Sequence, residues 1–203
     1  MTDGTLVIHG VLAVVSLAVG IAALVVLHIS PTGYSPLRDA VSDYGVGRYA
    51  WGYRTQVVAI GVAAAIEAGG FAHDGTAGTA GIVWLVVYAV SRVAIGWAPT
   101  DLPGAQRTPT GRVHALLAIA AFTAIAVATS TIPNDLRGAS AWVSWANPLN
   151  TLGTLVVVAA VATALAVVVP AFRRVFGLVE RLLYVTSLAW LVTAGVAFVV
   201  VGS

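Results

Sequence analysis

The chain has no cysteine in its 203 residues. Disulfides, thiolate metal sites and thiol redox chemistry are therefore excluded, and the redox compartment cannot be read from it. Lysine is also absent: all ten basic residues are arginine. Charged residues make up 9% of the chain, against about 25% in ordinary soluble domains, too few to solvate a globule of this size. The net charge is only +2 and the arginines are scattered over loops, so a nucleic-acid partner is not expected. The first residues lack a basic n-region and a small-residue cleavage site. The first apolar run is thus expected to be a retained spanning helix, not a signal peptide.

What the chain has instead is apolar length. Its apolar share is 59%, above the roughly 45–50% of soluble domains. Six runs reach the length of about 20 residues needed to cross a bilayer. We expect spans over 6–29, 53–72, 79–98, 112–132, 149–169 and 178–201. The fold class is then all-α: one polytopic membrane bundle occupying residues 1–203. Pro31, Pro99 and Pro170 follow helices 1, 3 and 5, where they cannot continue the backbone ladder. Asn147 and Pro148 read as N-cap and N1 of helix 5. Trp51, Tyr53, Trp97, Trp142 and Trp145 fall at helix ends, as an interfacial aromatic belt would.

Arginine placement sets the expected orientation. Arg38, Arg48, Arg54, Arg107, Arg112, Arg173, Arg174 and Arg181 belong to loops 1, 3 and 5 and their flanks, and only Arg137 lies on the opposite side. By the positive-inside bias, loops 1, 3 and 5 are cytoplasmic and both termini external. Loop 1 is the long one. Ser35 and Pro36 suit an N-cap and N1, Leu37, Val41 and Tyr44 make an apolar stripe, and Gly45 suits a stop. This predicts an interfacial helix of about nine residues, packed against loop 3. Gly61, Ala65 and Gly69 form a small-residue stripe on helix 2, suited to close packing inside the bundle or to a homodimer.

Polar groups inside a membrane each require a reason. Arg92 lies within helix 3, seven residues before Pro99. It either snorkels to the headgroups or pairs with a carboxylate, and we expect Asp43 as partner, with Asp101 second. Glu67, near the far end of helix 2, is expected to reach interfacial water. His28, Ser42, Asp43, Arg92, Asp101 and His114 all gather at the face of the odd-numbered loops. Three chemistries suit them. His28, Asp43, Asp101 and His114 are candidate ligands of a divalent metal with an open water position. Ser42, His114 and Asp101 are a candidate nucleophile, base and orienter. His28 and His114 are a less favoured pair of haem ligands. The bland alternative is a capping and ion-pair network clamping the loops. Arg92 or Arg112 would hold an anionic headgroup.

At these residues a resemblance appears. The run His28–Gly45, reading HISPTGYSPLRDAVSDYG, is followed by Gly52, Tyr53 and Arg54. Pro99-Thr100-Asp101 is followed by Gly111-Arg112-Val113-His114 at the start of the next helix. These two signatures resemble those of a bacterial membrane family catalogued as domain of unknown function 998. The resemblance implies a six-helix integral membrane protein with its polar signatures in loops 1 and 3. It implies no activity, and it makes Ser42, Asp43, Asp101 and His114 the leading catalytic candidates. The expected role is a membrane-embedded enzyme or binding protein acting on a lipid or small molecule. A non-catalytic scaffold ranks next and a small transporter last, since few polar residues line the spans.

Overall fold

The computed structural model describes residues 2–203 and contains only helices among them. Six long ones occur: α1 (Gly4–Ile29), α2 (Ala50–Asp74), α3 (Thr79–Ile95), α4 (Pro109–Leu136), α5 (Val143–Val168) and α6 (Phe176–Gly202). All except α3 are long and apolar enough to cross a membrane. The 17-residue α3 is extended by tighter turns, in which Gly96, Trp97 and Ala98 donate to Val93, Ala94 and Ile95. With that extension it reaches about 30 Å, the thickness of a bilayer's hydrocarbon core.

Helix ends follow local chemistry. The Asp3 carboxylate accepts from the Thr5 and Leu6 N–H groups and caps α1. Gly75, at φ 74°, takes the left-handed conformation that closes α2. Thr108 caps α4, with Pro109 in the first turn.

The helices pack in chain order as a closed ring, α6 returning to α1, with α2 and α6 also touching across it. At the end bearing the termini, Phe71 packs against Trp142, Trp190 and Phe198. At the end bearing loops 1, 3 and 5, a second apolar cluster joins Leu27, Val41, Tyr44, Tyr53, Val57, Ile95 and Tyr184. Gly61 presses on the Ala89 carbonyl of α3, Gly69 faces His9 of α1, and Ala65 is exposed. Both glycines of the small-residue stripe thus serve contacts within the chain.

Three expectations need correction. Helix 5 begins at Val143, so Pro148 lies inside it rather than at N1. The earlier start is explained by Trp142 and Ala146, both buried in the aromatic core. Pro133 likewise lies inside α4. Having no N–H, it leaves the Thr129 carbonyl, four residues back, without its helical donor. That carbonyl lies directly against Gly153 of α5, where any Cβ would collide with it. Here the backbones of α4 and α5 come into close contact.

Loop 1 is ordered but is not the expected nine-residue helix. A turn over residues 36–39 leads into short 3₁₀ helices at Val41–Gly45 and Gly47–Tyr49. Two N–H groups that a helix starting at Pro36 would pair internally are taken by carboxylates instead: Ala40 donates to Asp43 (3.0 Å) and Val41 to Glu180 (2.6 Å). Ahead of them, Ser35 N–H donates to Asp39 (2.6 Å). Leu37 consequently leaves the expected buried stripe and is 48% exposed. The loop packs on α2 and is hydrogen-bonded to α6, with no hydrogen bond to loop 3: Leu178 N–H donates to the Leu37 carbonyl at 3.1 Å. Arg181 completes the attachment, donating to the Pro36 and Asp39 carbonyls at 2.9 and 2.8 Å.

Candidate functional site

From the Gly153–Thr129 contact toward the loop 1 end, the facing sides of α4 and α5 line a cavity of about 760 Å³. Its polar chamber is walled by Ser42 and Asp43 of loop 1, Arg92 of α3, Asp101 of loop 3, His114 of α4 and Glu180 of α6. Its apolar limb runs between α4, from Ala115 to Val127, and α5, from Val157 to Val168. Helical rise makes that limb about 17–18 Å long, close to half of a bilayer's hydrocarbon thickness. Alanine at 115, 118, 160 and 164 supplies the space. Ile119 and Val168, on its rim, are 64% and 67% exposed, so the limb opens sideways onto the lipid-facing surface.

Arg92 neither snorkels nor pairs with Asp43 or Asp101. It is 2% exposed, and its guanidinium donates to the Tyr184 hydroxyl at 2.9 Å and the Gln56 carbonyl oxygen at 3.0 Å. Its Nε–H has no partner. The Tyr184 ring lies 4.8 Å from the guanidinium carbon, a cation–π contact. Gln56 reaches Arg92 from α2, which packs directly beside α3, and Tyr184 reaches it from α6, which touches α2 across the ring.

Asp43 accepts from the Ala40 N–H, and burial pushes its carboxyl up to about 6 from the ordinary 3.8. Asp101 accepts from the Thr108 N–H (3.0 Å) and hydroxyl (2.7 Å), and these bonds hold its carboxyl below the ordinary value. It thereby pins loop 3 to the start of α4. His114 is buried, with Nδ1 bonded to the Ala98 carbonyl at 2.6 Å. The proton is accordingly on Nδ1, leaving Nε2 as an acceptor. Asp101 is not bonded to His114, nor His114 to Ser42, so the expected nucleophile–base–orienter set is not assembled.

The metal expectation is also corrected. Among the described residues no three His, Asp or Glu side chains gather at ligand spacing. His28 has both ring nitrogens engaged: Nδ1 with the Leu24 carbonyl at 2.8 Å, and Nε2 accepting from Arg181 at 2.8 Å. It lies outside the cavity lining, which removes it from the metal quartet and from the haem pair alike. Arg112 is exposed and lies outside the lining, whereas Arg38 is part of it. Glu67 does not reach water: it is fully buried, and neither carboxylate oxygen has a partner.

Sequence reasoning missed Glu180 and Tyr184. Arg181 entered it only as a topological charge. A signal was present: Glu180, Tyr184 and Ser187 recur at i, i+4 and i+7 on an otherwise apolar helix, and all three are buried.

The ring of apolar helices and its lateral cavity define a polytopic α-helical membrane protein. The chain belongs to the family described as protein of unknown function (DUF998), whose sequence model matches residues 5–197. No curated protein and no solved structure matches the chain.

Proposed function

We propose that this protein binds an amphiphile drawn from the bilayer, with the headgroup in the polar chamber and the apolar chain between α4 and α5. The carrying observation is the joining of two environments in one cavity. Ionisable and hydroxyl side chains, Ser42, Asp43, Arg92, Asp101, His114 and Glu180 among them, line one end, and a side-open apolar limb about one leaflet deep forms the other. Binding is favoured over hydrolysis, because no nucleophile is bonded to His114. It is favoured over transport, because the Thr129–Gly153 contact and the aromatic core around Phe71 lie between the cavity and the opposite end. The arginine asymmetry supports loops 1, 3 and 5 on the cytoplasmic side, placing the chamber at the inner leaflet.

Lipid extraction from the detergent-purified protein, followed by mass spectrometry, tests the reading. A specific amphiphile should co-purify with the wild type. It should be lost from Ala164→Phe, which fills the limb from an exposed rim position. Equal retention by that variant, or no bound amphiphile, defeats the proposal. Orientation is tested separately, because the cysteine-free chain accepts single reporters cleanly. Cysteines at Ala139 and Ser203 should label from outside intact cells, and one at Ala105 should not. The reverse pattern moves the chamber to the outer leaflet.

A further inference from the structure

Arg92 is a buried cation without an anion. Its two hydrogen-bond acceptors, Tyr184 and Gln56, are neutral, and its Nε–H is unpartnered. The only ion pair among the described residues is His73 with Asp3, at the other end of the bundle. A buried charge within a membrane is expensive unless paired, and removing a partner from such a charge normally destabilises strongly. Yet Arg92 lines the cavity, so an exogenous group has access to it.

The four acids lining the cavity do not supply the missing anion. Asp43 is turned onto the Ala40 N–H and Glu180 onto the Val41 N–H, while Asp39 accepts the Ser35 N–H and Asp101 accepts from Thr108. A guanidinium offers planar, paired N–H donors that match the oxygens of a carboxylate or phosphate. The chamber's acids disfavour a headgroup carrying several further negative charges. The volume of about 760 Å³ sits within the 300–1,000 Å³ of ordinary small-ligand pockets, room for one chain and a compact head.

We propose that Arg92 is the anion-binding residue of this cavity, taking the oxyanion headgroup of a single-chain amphiphile whose tail lies between α4 and α5. The assignment rests on the amphiphile reading above. Tyr184 and Gln56 act as positioning residues that hold the guanidinium toward the chamber.

Native mass spectrometry of the full-length protein in detergent tests it, by titration with three ligands of equal chain length. Palmitate carries a carboxylate, palmitoyl lysophosphatidic acid a phosphate, and monopalmitoylglycerol no charge. At least one acid should bind about tenfold or more tightly than the glyceride, and the tighter acid identifies the oxyanion. Arg92→Gln should reduce that preference to near parity while glyceride binding persists, which also shows that the variant is folded. Gln56→Glu provides an independent arm: it sets a carboxylate beside Arg92 as an internal competitor and should also abolish the preference. Equal binding of acids and glyceride by the wild type overturns the assignment to Arg92 but leaves amphiphile binding intact. So does a preference that survives in Arg92→Gln or, should that variant fail to fold, in Gln56→Glu. Failure of all three ligands to bind overturns both readings.

Discussion

The Glu180 carboxylate accepts the Val41 N–H at 2.6 Å, joining two residues 139 positions apart in the chain. This bond fixes where loop 1 leaves its turn and enters its 3₁₀ helix, and so fixes one wall of the chamber. Both partners are buried, so neither has water as a substitute. Glu180→Ala should lower stability by about 1–3 kcal/mol, the cost of a stranded buried donor. Glu180→Gln should recover most of the loss, because its amide oxygen still accepts. Thermal unfolding in detergent, with limited proteolysis at loop 1, would show both effects. A neutral Glu180→Ala would mean the loop is held by Arg181 and the Leu37–Leu178 backbone bond without it.

Asp43 makes a pH-dependent contribution of known sign. Its folded carboxyl is raised to about 6, above the ordinary 3.8. The folded state therefore holds the proton more tightly, and this stabilisation is complete below about 4 and lost as pH rises through about 6. Burial and Asp39 of the same loop raise this value, while the Ala40 N–H bond and Arg181 of α6 lower it. Melting temperature should rise as pH falls from 7 toward 4, and Asp43→Asn should flatten that slope. Asp101, whose carboxyl is lowered, has the opposite sign below its ordinary value and should dominate only in stronger acid. An unchanged slope in Asp43→Asn would assign the effect elsewhere.

Glu67 should be a liability for stability. It is fully buried in α2 with both carboxylate oxygens unpartnered, in an apolar helix surface. Replacing it with leucine removes an unsatisfied polar group at similar volume. Stability should rise by about 1–3 kcal/mol, measured as resistance to thermal unfolding in detergent. A loss of stability would show that the carboxyl has a partner in the folded protein.

Gly153→Ala should be among the most damaging single-methyl additions in the chain. The added Cβ meets the Thr129 carbonyl, which is rigid backbone. We expect a loss of about 1–3 kcal/mol, the range for overpacking, read from the melting temperature. Gly104→Ala in loop 3 is a useful contrast, since no atom obstructs its Cβ and only its φ of 83° opposes the change.

Much of this fold was legible in the sequence because hydrophobic length is an unambiguous signal in a bilayer. All six expected spans fall within or nearly within the six helices, and Pro31, Pro99 and Pro170 follow their ends. What failed depended on contacts between distant segments. Loop 1 carried every local helix signal, from Ser35 to Gly45, but the carboxylate of Glu180 took its backbone. Pro148 resembled a helix start, and two buried residues upstream, Trp142 and Ala146, extended α5 past it. Arg92 was identified as needing explanation, but its neighbours were not. Gln56 and Tyr184 come from α2 and α6, and no periodicity within α3 points to them.

The contact between Thr129 and Gly153 has a further consequence. On the amphiphile reading, a cavity that ends near this crossing and opens sideways would communicate with one monolayer only. Its occupancy would follow the mole fraction of ligand dissolved in that monolayer, not its concentration in water. Two membranes of identical overall composition, differing only in how their lipids are distributed across the two sides, would then present this protein with different amounts of ligand. The helix crossing would make it a reader of transbilayer asymmetry.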